Sequence, residues 1–167
     1  MMNVLRIIKH LFFLDWQVRW AFPKGSLDAI AQATHSSEQT HGGEIRFVVE
    51  ASLEGAPLWQ GKTTRERAID VFSQLRIWDT EGNNGVLIYL LLADRSVEII
   101  ADRGIHTRTG SAPWAAICRA MELAFSKSEF LPGTLTGIAA IAQVIGQHFP
   151  AQGKRTNELP DTPIVLT

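Results

Sequence analysis

Cysteine occurs once in the 167 residues, at Cys118, so no internal disulfide can brace the chain and no Cys/His spacing offers a structural zinc site. Charge of one sign is missing too. The 16 basic and 17 acidic residues leave a net charge of −1, and no dense Lys/Arg run is present. A phosphate backbone needs a basic surface, so nucleic acid is excluded as the expected partner. Long apolar runs are equally scarce. The opening stretch MMNVLRIIKHLFFLDW is interrupted by Arg6, Lys9, His10 and Asp15, and no small-residue cleavage site follows it, which argues against a secretory signal. The stretch GVLIYLLLADRSVEII is broken by Asp94 and Arg95, short of the roughly 20 residues that cross a bilayer. The expectation is a cytoplasmic protein with no transmembrane span, at most peripheral to a membrane. Strong catalytic signatures are absent as well: there is no nucleophile elbow, no phosphate-cradling glycine loop and no paired-histidine motif.

What is present is the composition of a globular domain, 46% hydrophobic and 20% charged, at a length that supports one core. The first 22 residues read as an apolar helix. Val4, Leu5, Ile7, Ile8, Leu11, Phe12, Phe13, Leu14, Trp16, Val18 and Trp20 cover more of its circumference than one buried face needs. It either docks on the protein's own core or turns Leu11, Phe12 and Trp16 toward a protein partner or a membrane surface.

From Ser26 to His41 a second helix is expected, with Ser26 as its cap and Gly42-Gly43 ending it. Glu44–Ala51 alternates and is rich in β-branched residues, so it reads as a strand. Thr63 or Thr64 starts a helix over TRERAIDVFSQLRIW, with Ala68, Val71, Phe72, Leu75 and Trp78 on one face. Gly85–Ala93 is almost wholly apolar, the pattern of a central strand covered on both sides. Asp94-Arg95 makes a surface turn into the strand SVEIIAD. Ser111 or Thr109, with Pro113 just inside, opens a helix to about Lys127. Leu131-Pro132 opens the last helix, which Pro150 stops. Residues 151–167 form an extended tail with at most a short edge contact. The order helix–helix–strand–helix–strand–strand–helix–helix makes an α/β fold, a three-layer α/β/α sandwich on a small mixed sheet over residues 23–150. The first two strands are parallel and the third runs back.

That topology gathers oxygen-bearing residues at one sheet edge. The start of strand one brings His41 and Glu44, the start of strand two Asp79, Asn83 and Asn84, and the end of strand three Asp102, Arg103 and His106. Carboxylates, amides and turn carbonyls suit Ca²⁺ or Mg²⁺, which makes Asp79, Asn83, Asn84 and Asp102 the candidate metal ligands. D-T-E-G-N-N-G equally fits a solvated turn before a buried strand. The helix start at Ser111, with Arg103, is the candidate anion contact. His106 is the candidate general acid or base, against the alternative of a solvated loop histidine. Asp102 has a second reading as a surface partner of Arg103 or Arg108. Cys118, on a helix between apolar neighbours, reads as a buried small apolar residue.

At these residues the chain resembles the TPM domain family of bacterial membrane-associated and thylakoid-lumen proteins. The resemblance runs from about residue 24 to 149, through EIRFVVEAS, NNGVLIYLLLADR, VEIIADRGIH and EFLPGTLTGIAAI. It implies an α/β/α sandwich, calcium or magnesium bound near the strand edge in some members, and acid phosphatase activity in a few. Members often carry Asp-Asn-Gly where this chain has Asn83-Asn84-Gly85. They often carry Gly-Tyr-Gly-Leu-Glu where it has Asp102-Arg103-Gly104-Ile105-His106. The first change removes a charged ligand and the second returns a carboxylate while adding an arginine. Many members also carry a signal peptide and an anchor, which this sequence does not display. Three functional expectations follow. The first is a divalent-cation-binding interaction module at a cell-envelope or membrane assembly. The second is a weak metal-assisted phosphatase acting on phosphomonoesters, and the third is a scaffold or regulatory domain without a ligand.

Overall fold

Parity along three strands sets the architecture. In the computed structural model, which describes residues 4–153 and 156–166, odd positions of the first strand and even positions of the second face one core, and their neighbours face another. The first three residues of the expected N-terminal helix, and residues 154, 155 and 167 of the expected tail, lie outside the described residues.

The elements run α1 (Val4–Leu11), α2 (Asp15–Ala21), α3 (Lys24–Glu38), β1 (Glu44–Glu50), α4 (Gly55–Trp59), α5 (Thr64–Gln74), β2 (Gly85–Leu91), β3 (Ser96–Ala101), α6 (Arg103–Thr109), α7 (Ala112–Ser126), α8 (Phe130–His148) and β4 (Ile164–Leu166). The sheet order is β3-β2-β1-β4. β1 pairs parallel with β2, Glu44 opposite Gly85, and β2 pairs antiparallel with β3, Val86 opposite Ala101. The chain is therefore a three-layer α/β/α sandwich, as the strand pattern predicts. On one face Ile45, Phe47, Val49, Val86, Ile88 and Leu90 pack against α2, α3, α7 and α8. On the other, Val48, Leu87, Tyr89 and Leu91 meet Ile7 of α1, Leu58 of α4, and Ala68, Val71 and Phe72 of α5. β2 is buried at every residue, because it is central in the sheet and covered twice.

The structure departs from the sequence expectations in five places. The N-terminal stretch forms two helices, not one: Val18 and Ala21 pack on the α3/α7/α8 face while Ile7 packs on the opposite one, and a single straight helix cannot reach both. α3 begins at Lys24, capped by Pro23 rather than Ser26, since proline's fixed φ suits a helix entrance. α5 does open on Thr63, whose hydroxyl accepts from the Glu66 N–H while the Glu66 carboxylate returns to the Thr63 N–H. It stops short of Trp78, however, because Arg76 turns to φ +53°. Two short helices, α4 and α6, were not expected; each is too brief to display a period. The tail's edge contact is β4, parallel to β1 with Val48 opposite Ile164.

α8 is, among the described residues, the one helix long and apolar enough to cross a membrane, by length and composition. Here Phe130, Ile138, Ile141 and Ile145 face the core. Gly133 and Gly137 leave the room that Phe125 and Met121 of α7 fill, since a Cβ at either glycine would run into those side chains.

Candidate functional site

At the strand edge, backbone pairing sets Asp102 opposite Gly85, the residue that follows Asn84. Asn84 accepts the Glu44 N–H on its carbonyl at 3.0 Å, donates its own N–H to Thr80 Oγ1 at 3.1 Å, and donates Nδ2 to the Gly42 carbonyl at 2.6 Å. Its side chain is thereby fixed, and its buried Oδ1 accepts no hydrogen bond from the described residues. Asp102 donates its N–H to the Gly85 carbonyl at 2.8 Å, and its Oδ1 caps α6 by accepting the Arg103 N–H at 2.7 Å. Its Oδ2 is buried and likewise without a hydrogen-bond donor among the described residues. An ordinary buried oxygen finds a donor, so each of these two oxygens is left to a partner outside the described residues, for which a water serves as well as a cation. Glycine shapes the surroundings: a Cβ at Gly104 would collide with the Gly82 and Asn83 carbonyls, and one at Gly85 with the Ile77 carbonyl. The loop oxygens accordingly approach the first turn of α6 more closely than any other residue would allow.

The remaining candidates are placed differently. Asp79 is more than half exposed and pairs with Arg76 Nη2 at 2.8 Å. Asn83 holds φ +48°, and its Oδ1 lies 3.3 Å from Arg103 Nε, which occupies both side chains with each other. Asp102 forms no ion pair with Arg103 or Arg108 among the described residues; Arg108 instead lies over the Phe149 ring at 4.4 Å and donates to the His148 carbonyl at 3.1 Å. Ser111 does stand at the N-cap of α7, but its backbone is helical there and its side chain makes no cap hydrogen bond. With α6 inserted between β3 and α7, Ser111 and His106 line a groove of about 560 Å³ along β3, with Arg65, Trp114, Cys118 and Glu122. Asn84 lines a separate cleft, so the expectation that the Ser111 helix start joins the Asn84 edge is corrected. In the β3 groove burial pushes the Cys118 thiol up to about 12, consistent with an inert, apolar role.

The Asn84 cleft measures about 760 Å³ and is walled by Gly42, Glu81, Arg108, His148 and Glu158. Glu158 Oε2 accepts the Glu81 N–H at 2.9 Å, which folds the tail over the loop. Of these residues Glu81 was visible inside D-T-E-G-N-N-G. Arg108, His148 and Glu158 arrive from three distant elements and carry no local signal.

Two further polar seams hold the periphery. The Asp94 turn is not the plain surface turn expected from Asp94-Arg95: its carboxylate meets Arg6 Nε at 2.9 Å and His10 Nε2 at 3.0 Å, with side-chain exposure of only 16%. Burial alone would raise its pKa, but hydrogen bonds from His10 and Arg6 hold it below the usual carboxylate range. Leu53 donates its N–H to His10 Nδ1 at 2.9 Å, which assigns the ring proton to Nε2, facing Asp94. At the other seam Glu38 accepts the Ile45 N–H at 2.7 Å. Burial, then the Glu44 and Asp161 carboxylates, push Glu38 up to about 8 against that hydrogen bond.

Fit to a cation can be judged from these oxygens. Asn84 Oδ1, Asp102 Oδ2 and the loop carbonyls are hard donors of the kind Ca²⁺ and Mg²⁺ accept, whereas among the described residues no three His, Cys, Asp or Glu side chains converge. By chemistry alone, such oxygens suit a hard cation and not a thiolate- or imidazole-seeking metal.

Comparison with known proteins gives the same architecture. The chain is similar to the BA42 protein from the psychrophilic bacterium Bizionia argentinensis, solved by NMR. The two are 30% identical, with a TM-score of 0.74, over 84% of this chain and 92% of that one. No curated protein matches. The TPM domain family matches residues 21–144, which include β1, β2, β3 and the Asn84–Asp102 edge, and the chain belongs to that family.

Proposed function

We propose that this TPM domain is a divalent-cation-binding interaction module that works at a cell-envelope or membrane assembly. The observation that carries the reading is that two buried oxygens, Asn84 Oδ1 and Asp102 Oδ2, take no donor among the described residues while the rest of each side chain is held by a hydrogen bond. Ca²⁺ or Mg²⁺ at Asp102 would satisfy its bare Oδ2 and neutralise the carboxylate, and the Gly82 and Asn83 carbonyls, which crowd Gly104 in the first turn of α6, are the further donors this reading would recruit. Asp79 and the Asn83 side chain already have partners, so the site is sparsely charged and its affinity modest. The interaction surface on this reading is the N-terminal helix pair with Leu11, Phe12 and Trp16, each more than half exposed.

Thermal unfolding with added CaCl₂ or MgCl₂ tests the site. A cation that binds the folded state alone contributes about 2.7 kcal/mol at a hundredfold excess over its dissociation constant. The midpoint of the wild-type chain is expected to rise with cation and return with EDTA. Asp102→Asn, which keeps the α6 cap, is expected to lose most of the rise. A wild-type midpoint indifferent to both cations overturns the proposal.

A further inference from the structure

Residues 156–166 lie along β1 and beside the Asn84 cleft, and two side chains of β1 grip their backbone. The Glu44 carboxylate accepts the Glu158 and Leu159 N–H groups, each at 3.2 Å, and the Arg46 guanidinium donates to the Pro160 and Thr162 carbonyls, the latter at 3.0 Å. Beyond them β4 pairs with β1 over three residues. The segment's apolar hold is small: Leu159 is buried, while Ile164 and Leu166 are only partly so. Its near end walls the cleft through Thr156 and Glu158, and the Glu158 carboxylate closes on the Glu81 N–H at 2.9 Å. Where this segment goes, a wall of the cleft goes with it.

Carboxyl groups crowd the middle of the segment. A side-chain hydrogen bond joins Asp161 to Glu38 of α3, and between two carboxyl groups that bond needs a proton on one of them. Asp161 Oδ1 accepts from Asn157 Nδ2 at 3.0 Å, and its Oδ2 faces His35 Nδ1 at 2.9 Å. Both its oxygens are engaged, so the proton belongs to Glu38. Glu44 faces Glu38 from β1 and Asp161 faces it from the tail, while His35 and Arg46 bear on the pair through Asp161. α8, which also packs on α3, carries no Asp, Glu, Lys or Arg. Without the proton, Glu38, Glu44 and Asp161 would meet as three carboxylates, and Asp161, the one on the tail, is the one free to leave.

We infer that residues 156–166 are a strap that closes over the Asn84 cleft and the β1 edge while a proton bridges Glu38 and Asp161, and that opens as this proton is lost to solvent. The linkage has a definite sign. Glu38 holds its proton more tightly with the strap closed, so the closed state is favoured in mild acid. It gives way as pH rises from about 4.5 toward about 8, by at most about tenfold in the open-to-closed ratio per pH unit, and the ratio levels off above. The cleft is accordingly more open to a ligand at the upper end of that window than at the lower. The inference stands apart from the cation reading, since neither Glu38 nor Asp161 is among its donors.

Amide hydrogen exchange of the full chain, in EDTA, would be followed from about pH 5 to about pH 9 and converted to protection factors, with β2 as the internal reference. EDTA keeps a cation from bearing on the result, so failure here is separate from failure in the cation titration. The Glu158, Leu159 and Ala51 amides, whose acceptors belong to the closed strap, are expected to lose about tenfold or more in protection across the window while β2 keeps its own. Glu38→Gln, whose amide donates to Asp161 at any pH and still accepts from Ile45, is expected to hold the strap's protection constant. Asp161→Asn, a change on the strap itself, is expected to lessen the fall, because its amide donates to Glu38 without a proton. Protection of the strap that ignores pH overturns the inference. So does a fall of equal size in Glu38→Gln, which would pass the effect to His35, or a fall shared by β2, which would be unfolding of the whole domain.

Discussion

Gly85–Leu91 and Val4–Trp20 are both rich in large apolar side chains, and they end in opposite environments. β2 is buried at all seven residues, whereas the N-terminal stretch leaves eight large apolar side chains exposed. Hydrophobicity does not distinguish them. Their neighbours do: β2 has a hydrogen-bonded strand on each side and a helical layer on each face, while α1 and α2 each touch the body through a single narrow side. An apolar run is buried only where the topology brings other elements to all of its surfaces.

The comparison breaks most visibly under cavity-forming substitutions. Ile88→Ala, at a fully buried position of β2, is expected to cost about 4 kcal/mol, read as a lower urea midpoint at unchanged slope. The polar element of the same strand follows. Tyr89 donates to Glu50, and Arg67 clasps Glu50 with Nε and Nη2 at 2.8 Å, so Arg67→Met strands a carboxylate that is 11% exposed and is expected to cost about 3 kcal/mol. Asp94→Asn, at the join between the two regions, removes charged hydrogen bonds to Arg6 and His10 and is expected to cost about 2 kcal/mol. Its signature is faster amide exchange in α1 and α2, with β2 unchanged.

The tail seam sharpens the contrast through pH. Because Glu38 sits near 8 when folded, against an ordinary 4.5, the folded state holds its proton more tightly. Its contribution is complete below about 4.5 and is lost as pH rises toward about 8. The Glu44 and Asp161 carboxylates face it. Glu38→Gln keeps the acceptor for Ile45 and is expected to flatten that part of the stability–pH profile and to raise the unfolding midpoint at alkaline pH. The smallest effect is expected at the exposed end of the comparison: Leu5→Ala should shift stability by under about 0.5 kcal/mol in water. A large loss there would mean that the N-terminal surface is buried in solution.

Strand and long-helix positions were legible because period and β-branching announce them locally: β1, β2, β3, α5 and α7 lie within the stretches their patterns indicate, and α8 starts one residue before its expected opening at Leu131. The parallel and antiparallel pairings followed from the crossover and the tight turn. α4 and α6 were not legible, since five and seven residues do not complete a pattern. The missed α6 is also why Ser111 was expected beside Asn84. At the candidate site, Asn84 and Asp102 could be named from their strand ends, while Arg108, His148 and Glu158 could not, because nothing near them in sequence signals the cleft they share.

The sequence alone determined where the three main strands and the helices α5, α7 and α8 lie and that β2 is central, because these depend on nearest-neighbour chemistry and strand direction. Tertiary structure alone decided three further things: which edge oxygens remain without a donor, which face of each N-terminal helix meets the core, and that Asp94 anchors those helices. Each depends on contacts between residues far apart in the chain. Such contacts are set by the packing of whole layers, and no local window contains them.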